Sequence, residues 1–161
     1  MKTFIYLLFL IPAVCFAQTQ PSEEASITEV INKLFTGMQN HDTVMVRSAF
    51  GDKVTLATVV RNREGKHVLR LEEFGAFIKL IGQPSSEPPI EEIWNLKIQI
   101  DGAFAQAWCD YAFYVGKKFS HCGVDAFQLI KTPEGWKIFN IADTRRREGC
   151  NVPEEIQKKY K

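Results

Sequence analysis

Two aspartates and a tyrosine in the last third of the chain are the side chains best suited to chemistry. Asp125 and Asp143 lie on two successive strand-like stretches, and Tyr111 lies on the stretch before them. The turn sequence Thr-Pro-Glu-Gly at 132–135 fits a three-residue hairpin loop, whose register places Asp125 opposite Asp143. Facing carboxylates repel each other, so the pKa of one would be raised and that group could act as a general acid or base. Tyr111 could then donate a hydrogen bond to a developing negative charge.

The same acids also have a purely structural interpretation. Arg145 or Arg47 could neutralise Asp143, while Asp125 could accept a hydrogen bond from a backbone amide or a hydroxyl group. Buried acids are commonly paired in this way for structural reasons. From the sequence, both interpretations stay open.

The cysteines and histidines give weaker signals. His121 precedes Cys122, but adjacent residues on a strand point to opposite faces, which separates this base from this thiol. We expect Cys122 to be bridged to Cys150, because the strand returning from Cys122 brings the chain near it again, and Cys109 to be a small buried apolar residue. No metal-ligand spacing is present, so neither a metal nor a cofactor is expected.

The first 17 residues have the organisation of a secretory signal. Lys2 is followed by an apolar run from Phe4 to Val14, and Ala17 is a suitable cleavage site. The run is shorter than the roughly 20 residues of a membrane span, so we predict no stable membrane insertion. Lipid attachment at Cys15 is the alternative. The chain is therefore predicted to be exported, periplasmic or secreted, with residues 18–161 forming one domain.

Three helices are predicted before the long strands. Ser22 can cap the first, and Asp42 can cap a second over Thr43–Phe50. A third is predicted over Leu71–Ile81, ending at Gly82. The first helix carries a continuous apolar stripe at helical spacing: Ile27, Val30, Ile31, Leu34, Phe35 and Met38.

The strands are predicted from β-branched content, alternation and turn residues. Their predicted ranges are Val54–Val60, Lys66–Arg70, Glu92–Ile100, 103–113, His121–Lys131 and Trp136–Arg145. Helices gathered ahead of an antiparallel sheet indicate an α+β fold with the helices on one face.

Turn geometry also predicts which side chains share a face. The hairpin at Asp101-Gly102 places Trp94 on the same face as Tyr111 and Phe113. The last hairpin places Phe127 opposite Ile141, and Leu129 opposite Phe139. Both faces of this hairpin are apolar, which indicates that both are covered, one by helices and the other, as one candidate, by a second subunit.

The chain resembles the nuclear transport factor 2-like superfamily, which includes ketosteroid isomerase and the SnoaL-like cyclases. The segments LFTGMQNHDTVMVRSAF, AQAWCDYAFYV and EGWKIFNIADTRR carry the resemblance, and FSHCGVDAFQLIKTPEGWKIFNIADTRR is most similar to an exported bacterial subgroup sometimes called lumazine-binding-like. The resemblance implies a cone-shaped α+β barrel, in which three N-terminal helices pack on a strongly curved antiparallel sheet around a pocket. Near the open end of that cone, Trp94, Phe113, Phe127 and Arg145 are candidates to contact a flat ligand.

Three functions fit this resemblance, because the fold hosts both enzymes and binding proteins. The first is an exported module that binds a small apolar or aromatic molecule, with no assignable reaction, as a possible homodimer. The second is an isomerase, dehydratase or cyclase that uses an Asp base and a Tyr donor. The third is a structural or interaction protein whose cone is filled by side chains. The near-neutral charge, +1, argues against a nucleic-acid partner.

Overall fold

A computed structural model describes residues 21–161 of the chain. The predicted signal segment and the alternative lipid site at Cys15 lie outside the described residues. Within the described part, no helix is long and apolar enough to cross a membrane.

The first two helices follow their caps. Helix α1 spans Glu23–Gln39, and the Ser22 hydroxyl accepts a hydrogen bond from the Ala25 amide at 3.2 Å. Helix α2 spans Thr43–Ala49 and begins where the Asp42 carboxylate accepts bonds from two backbone amides. Such caps satisfy amides that have no partner within the helix. Four residues of the predicted α1 stripe are buried in the core: Ile27, Ile31, Leu34 and Met38.

Helix α3 begins later than the sequence suggested. It spans Phe74–Ile81, whereas the prediction began at Leu71. Leu71 instead pairs with Ala57 across a hairpin, so cross-strand hydrogen bonding extends the preceding strand to Glu72. The predicted start is wrong because the edge-strand pairing overrides the helical spacing of the apolar residues.

Six strands form one sheet in the order β2-β1-β6-β5-β4-β3. Neighbours are antiparallel except β1 and β6, which pair in parallel. The strands are β1 Phe50–Arg61, β2 His67–Glu72, β3 Pro89–Asp101, β4 Phe104–Val115, β5 Lys118–Thr132 and β6 Gly135–Thr144. Helices α1 to α3 pack their apolar residues into a single core with one face of this sheet, which confirms the predicted α+β architecture.

Two bulges decide which side chains face the helices. The predicted opposition of Asp125 to Asp143 and of Phe127 to Ile141 is confirmed. The predicted three-residue loop is wrong, because Thr132 pairs with Gly135 across a two-residue turn. This shorter turn pairs Leu129 with Ile138 instead of the predicted Phe139, and a register shift between Gln128 and Leu129 then restores the predicted pairing. Each bulge inserts an extra residue into one strand and so changes the alternation beyond it.

The second bulge lies in β3 between Trp94 and Lys97, where Asn95 has a positive φ of 54°. On the N-terminal side of this bulge, each residue of β3 therefore points to the face opposite to the predicted one. Trp94 therefore packs on the opposite face of the sheet, with Ala112 and Tyr114, and Ile93 takes the core-facing position.

The C-terminal segment covers part of that opposite face. Cys122 and Cys150 form a disulfide with sulfur atoms 2.09 Å apart, and Cys109 is a free, buried thiol. A short helix, α4 Glu154–Lys159, is absent from the sequence-based prediction. After it, the ring of Tyr160 stacks on Tyr114 with centroids 3.8 Å apart.

Candidate functional site

A cavity of about 610 Å³ lies between the helices and the concave face of the sheet. Its apolar wall includes Leu34 and Phe35 of α1, Phe77 of α3 and Phe127 of β5. The volume lies in the range of small-molecule pockets, which combine apolar walls with a few placed polar groups. The polar groups described below come mainly from β1, β3, β4, β5 and β6, and from Arg145 just after β6.

Asp143 is held by three neighbouring side chains on the sheet. Thr58 of β1 donates its hydroxyl proton to Asp143 Oδ1 at 2.5 Å, and Arg145 Nε donates to Oδ2 at 2.8 Å. The hydroxyl of Tyr111 is 3.2 Å from the same Oδ2. The structural interpretation therefore holds for Asp143, with Arg145 as the partner. Arg47 instead lies over the ring of Phe74, 5.7 Å from its centroid.

Tyr111 is committed to the protein rather than to the cavity. Its side chain is buried, and its hydroxyl donates to the carbonyl oxygen of Thr144 at 2.9 Å, the shorter of its two contacts. Burial, followed by the negative charge of Asp143, raises the pKa of Tyr111. A hydroxyl that already donates to a backbone carbonyl is poorly placed to donate to a ligand as well.

This arrangement depends on the glycine opposite Tyr111. A Cβ atom at Gly123 would lie 1.7 Å from the carbonyl oxygen of Thr144 and 2.7 Å from Tyr111 Cε1. Only a residue without a side chain allows β6 and the tyrosine to approach so closely.

Two buried polar atoms in the lining of the cavity lack a hydrogen-bond partner among the described residues, one on Asp125 and the other His41 Nε2. The Asp125 side chain is 3% exposed, and its unpartnered atom is Oδ2. Burial raises the pKa of Asp125 well above its ordinary value, and the negative charges of Glu91 and Asp143 raise it further. The structural interpretation, in which a backbone amide or hydroxyl satisfies this group, does not hold for Oδ2.

Glu91 is a site residue that the sequence did not reveal. It lies on β3 opposite Phe113 and lines the cavity beside Asp125. Burial raises its pKa from 4.5 to about 7, with a further contribution from the charge of Asp143, while contact with Asp125 and the charge of Arg145 oppose the shift. Two acids in contact with raised pKa values hold protons at pH values where exposed carboxyls are ionised.

The β3 bulge explains why the sequence did not reveal Glu91 as a residue of the cavity. Strict alternation from the Asp101-Gly102 turn sends Glu92 and Trp94 inward, whereas the bulge sends Glu91 and Ile93 inward instead. Glu92 points away and binds Lys159 at 2.8 Å. The signal in the sequence is Asn95, because asparagine tolerates positive φ better than most residues do.

The remaining predicted ligand contacts have mixed outcomes. Phe113, Phe127 and Arg145 line the cavity. Trp94 does not, because the bulge turns it to the opposite face. His121 lines the cavity with its ring 5.0 Å from that of Phe113, and burial together with the charge of Arg145 lowers its pKa to about 4.

No group of three His, Cys, Asp or Glu residues in the range 21–161 is arranged to hold a metal ion.

The helix-covered, curved sheet and its cavity have the fold of nuclear transport factor 2-like proteins. Residues 22–142 match the model of a family described as "Putative lumazine-binding", and the chain belongs to this family. No curated protein matches the chain in sequence.

Three solved structures show the range of its structural relatives. A nuclear transport factor 2-like protein of unknown function from Shewanella baltica is 24% identical with a TM-score of 0.59, covering 78% of this chain and 95% of its own. One with a cystatin-like fold from Novosphingobium aromaticivorans is 15% identical, with a TM-score of 0.61 and coverages of 83% and 88%. A protein described as a putative dehydratase from Streptomyces avermitilis is 12% identical, with a TM-score of 0.58 and coverages of 75% and 94%. At these identities the likeness shows the fold alone.

Proposed function

We propose that this protein is an exported binding module that holds one small, ring-containing molecule in its cavity. The observation that carries the proposal is Asp125 Oδ2, a buried acceptor without a partner among the described residues, in the lining of a cavity of about 610 Å³. A buried acceptor left unpaired costs about 1–3 kcal/mol, and a ligand that donates to it recovers this energy. The apolar wall opposite would contact the rings of the ligand.

The description of the family supports a flat heterocycle as the class of ligand. Lumazine, which the family description names, is a fused-ring heterocycle with N–H groups that can donate hydrogen bonds. Such a ligand could place its rings against Phe35, Phe113 and Phe127 while its N–H groups approach Asp125.

The enzymatic alternative receives less support from the cavity. Of its three candidate residues, Asp125 alone keeps an unpaired carboxyl oxygen, whereas Asp143 and Tyr111 bond to one another and to Thr58, Thr144 and Arg145. Groups fixed in this way position the sheet and are not free to exchange protons with a substrate. The side-chain-filled alternative conflicts with the volume of the cavity.

Export and self-association complete the proposal. Export rests on the N-terminal signal pattern alone. Homodimer formation is supported by four large apolar residues on the face of the sheet away from α1 to α3, each more than a third exposed: Phe104, Trp108, Phe119 and Ile130. A second copy of the chain would cover this face.

Native mass spectrometry of the protein purified from its own cell envelope tests the proposal. We expect a bound small molecule that is lost on denaturation. Ala57→Phe, which fills the cavity without removing a polar group, should abolish the adduct, whereas Ala103→Phe in an exposed turn should keep it. Lumazine added to ligand-free protein should change the tryptophan fluorescence of the native protein more than that of Ala57→Phe. If no molecule co-purifies and no compound in a panel of flat heterocycles binds, the proposed function is wrong.

A further inference from the structure

The charged groups around the cavity are unbalanced. Among the described lining residues there are five acids and one arginine, and no lysine. His121, one of the two histidines in the lining, has a pKa lowered to about 4 and is therefore neutral at physiological pH. The five acids are Glu72, Glu87, Glu91, Asp125 and Asp143.

The single arginine is already in use. Arg145 Nε lies 2.8 Å from Asp143 Oδ2, so these two charges neutralise each other. Glu72 and Glu87 are exposed and solvated. Glu91 and Asp125 are left facing the cavity without a cationic partner among residues 21–161, and Asp125 Oδ2 also has no hydrogen-bond donor.

Deep in a cavity, a pair of carboxyl groups of this kind has few complementary ligand groups. A carboxylate or phosphate would be repelled by the ionised pair. A neutral carbonyl group could accept a hydrogen bond from one protonated carboxyl, but it would leave the other carboxyl oxygens without a donor. An amidinium, guanidinium or protonated amine presents several N–H donors together with a positive charge, and it forms charge-assisted bonds about twice as strong as neutral ones.

We propose that the natural ligand carries a cationic nitrogen group, and that this group binds to the carboxyl groups of Glu91 and Asp125 while the rings of the ligand lie against the apolar wall. This inference rests on the proposed binding function and specifies the chemistry of the ligand at the same cavity.

Without a cation, protons occupy the pair. Burial raises both pKa values, so a cation that binds must displace a proton, and its affinity must fall as the pH falls through about 7, the pKa of Glu91. Tyr111 and Cys109 stay neutral, because burial raises their pKa values. The titratable and charged groups around the pair come from several elements. They are Cys109 and Tyr111 on β4, His121 on β5, Asp143 on β6, Arg145 just after β6, Glu72 on β2, Glu87 before β3 and His41 after α1.

Titration calorimetry with three matched probes tests the charge preference. Benzamidine is a cation, benzamide is its neutral analogue and benzoate is the anionic one. We expect benzamidine to bind at least about 10-fold more tightly than benzamide, and benzoate to bind more weakly than either. Between about pH 5.5 and about pH 8.5, the affinity for benzamidine should rise about 30-fold, as follows from a single group with a pKa near 7.

Two variants locate the effect. Glu91→Gln should weaken benzamidine binding by about 10- to 100-fold and flatten its dependence on pH, while leaving benzamide binding within about twofold. Asp125→Asn is a second variant of almost unchanged shape and should also lose selectivity for the cation. Glu64→Gln removes an exposed acid outside the cavity and should bind like the native protein.

The outcomes separate this inference from the binding function itself. If benzamide binds as tightly as benzamidine, or if Glu91→Gln leaves benzamidine affinity and its pH dependence unchanged, the cationic assignment is overturned, although a small-molecule site remains. Benzamidine that fails to bind also overturns it. The proposed function, in contrast, fails only when no compound co-purifies or binds.

Discussion

Replacing Glu91 by glutamine should make the protein more stable, and the gain should depend on pH. Glutamine keeps the size of the side chain and removes its charge. Burial raises the pKa of Glu91 from 4.5 to about 7. Because each pKa unit corresponds to about 1.4 kcal/mol, ionising Glu91 costs about 3 kcal/mol more in the folded protein than in the unfolded chain.

The pH window follows from these two pKa values. Below about 4.5, Glu91 is protonated in both states and the variant should have nearly the stability of the native protein. The native protein then loses stability as the pH rises from 4.5 to about 7, because the unfolded chain releases this proton first. Above about 7 the full difference, about 3 kcal/mol in favour of Glu91→Gln, should be present.

Urea unfolding followed by tryptophan fluorescence measures this difference, because Trp136 is buried in the folded protein. The free energy of unfolding of the two proteins is compared at about pH 4.5 and about pH 8, with Glu64→Gln as the control for removing an exposed acid. A gain of the same size at both pH values, or a loss of stability at the higher one, would refute the raised pKa of Glu91 beside Asp125.

Three further predictions concern other features of the fold. Gly123→Ala should lower the free energy of unfolding by about 3 kcal/mol, whereas Gly75→Ala, where a Cβ meets nothing within 4 Å, should not; equal effects would contradict the close approach. Replacing Cys122 and Cys150 by serine should cost about 3–4 kcal/mol in urea unfolding, from the loop of 28 residues that the disulfide closes, and a cost below 1 kcal/mol would argue against the bridge as a stabiliser. Trp108→Lys, at a side chain that is 54% exposed, should convert the expected dimer to a monomer in sedimentation experiments; an unchanged sedimentation coefficient would exclude this face as the interface.

The helix starts at Ser22 and Asp42 were predictable from sequence, because a cap acts through its own backbone neighbours. The opposition of Asp125 to Asp143 was predicted correctly, but from a three-residue loop that the structure does not have. The turn pairs Thr132 with Gly135 across two residues, and the bulge between Gln128 and Leu129 restores the predicted register.

The parts that were not predictable depend on long-range packing. Nothing local distinguishes Glu91 from Glu92, and only the bulge at Asn95 sends the first into the cavity and the second toward α4. The start of α3 was misplaced because Leu71 satisfies a helical pattern as well as a strand pairing. Whether Asp125 would find a donor could not be read from the sequence, since that depends on every element that lines the cavity.

The extra residue in β3 also gives this family of folds a short evolutionary route to new ligands. Deleting Asn95 would restore regular alternation and exchange the faces of the four residues before it, so that Glu92 and Trp94 would turn inward in place of Glu91 and Ile93. One codon lost or gained would thus alter the depth, shape and charge of the recognition surface with no substitution at any lining position. Divergence in what such proteins recognise can therefore arise from changes in strand length that leave every side chain in the alignment the same.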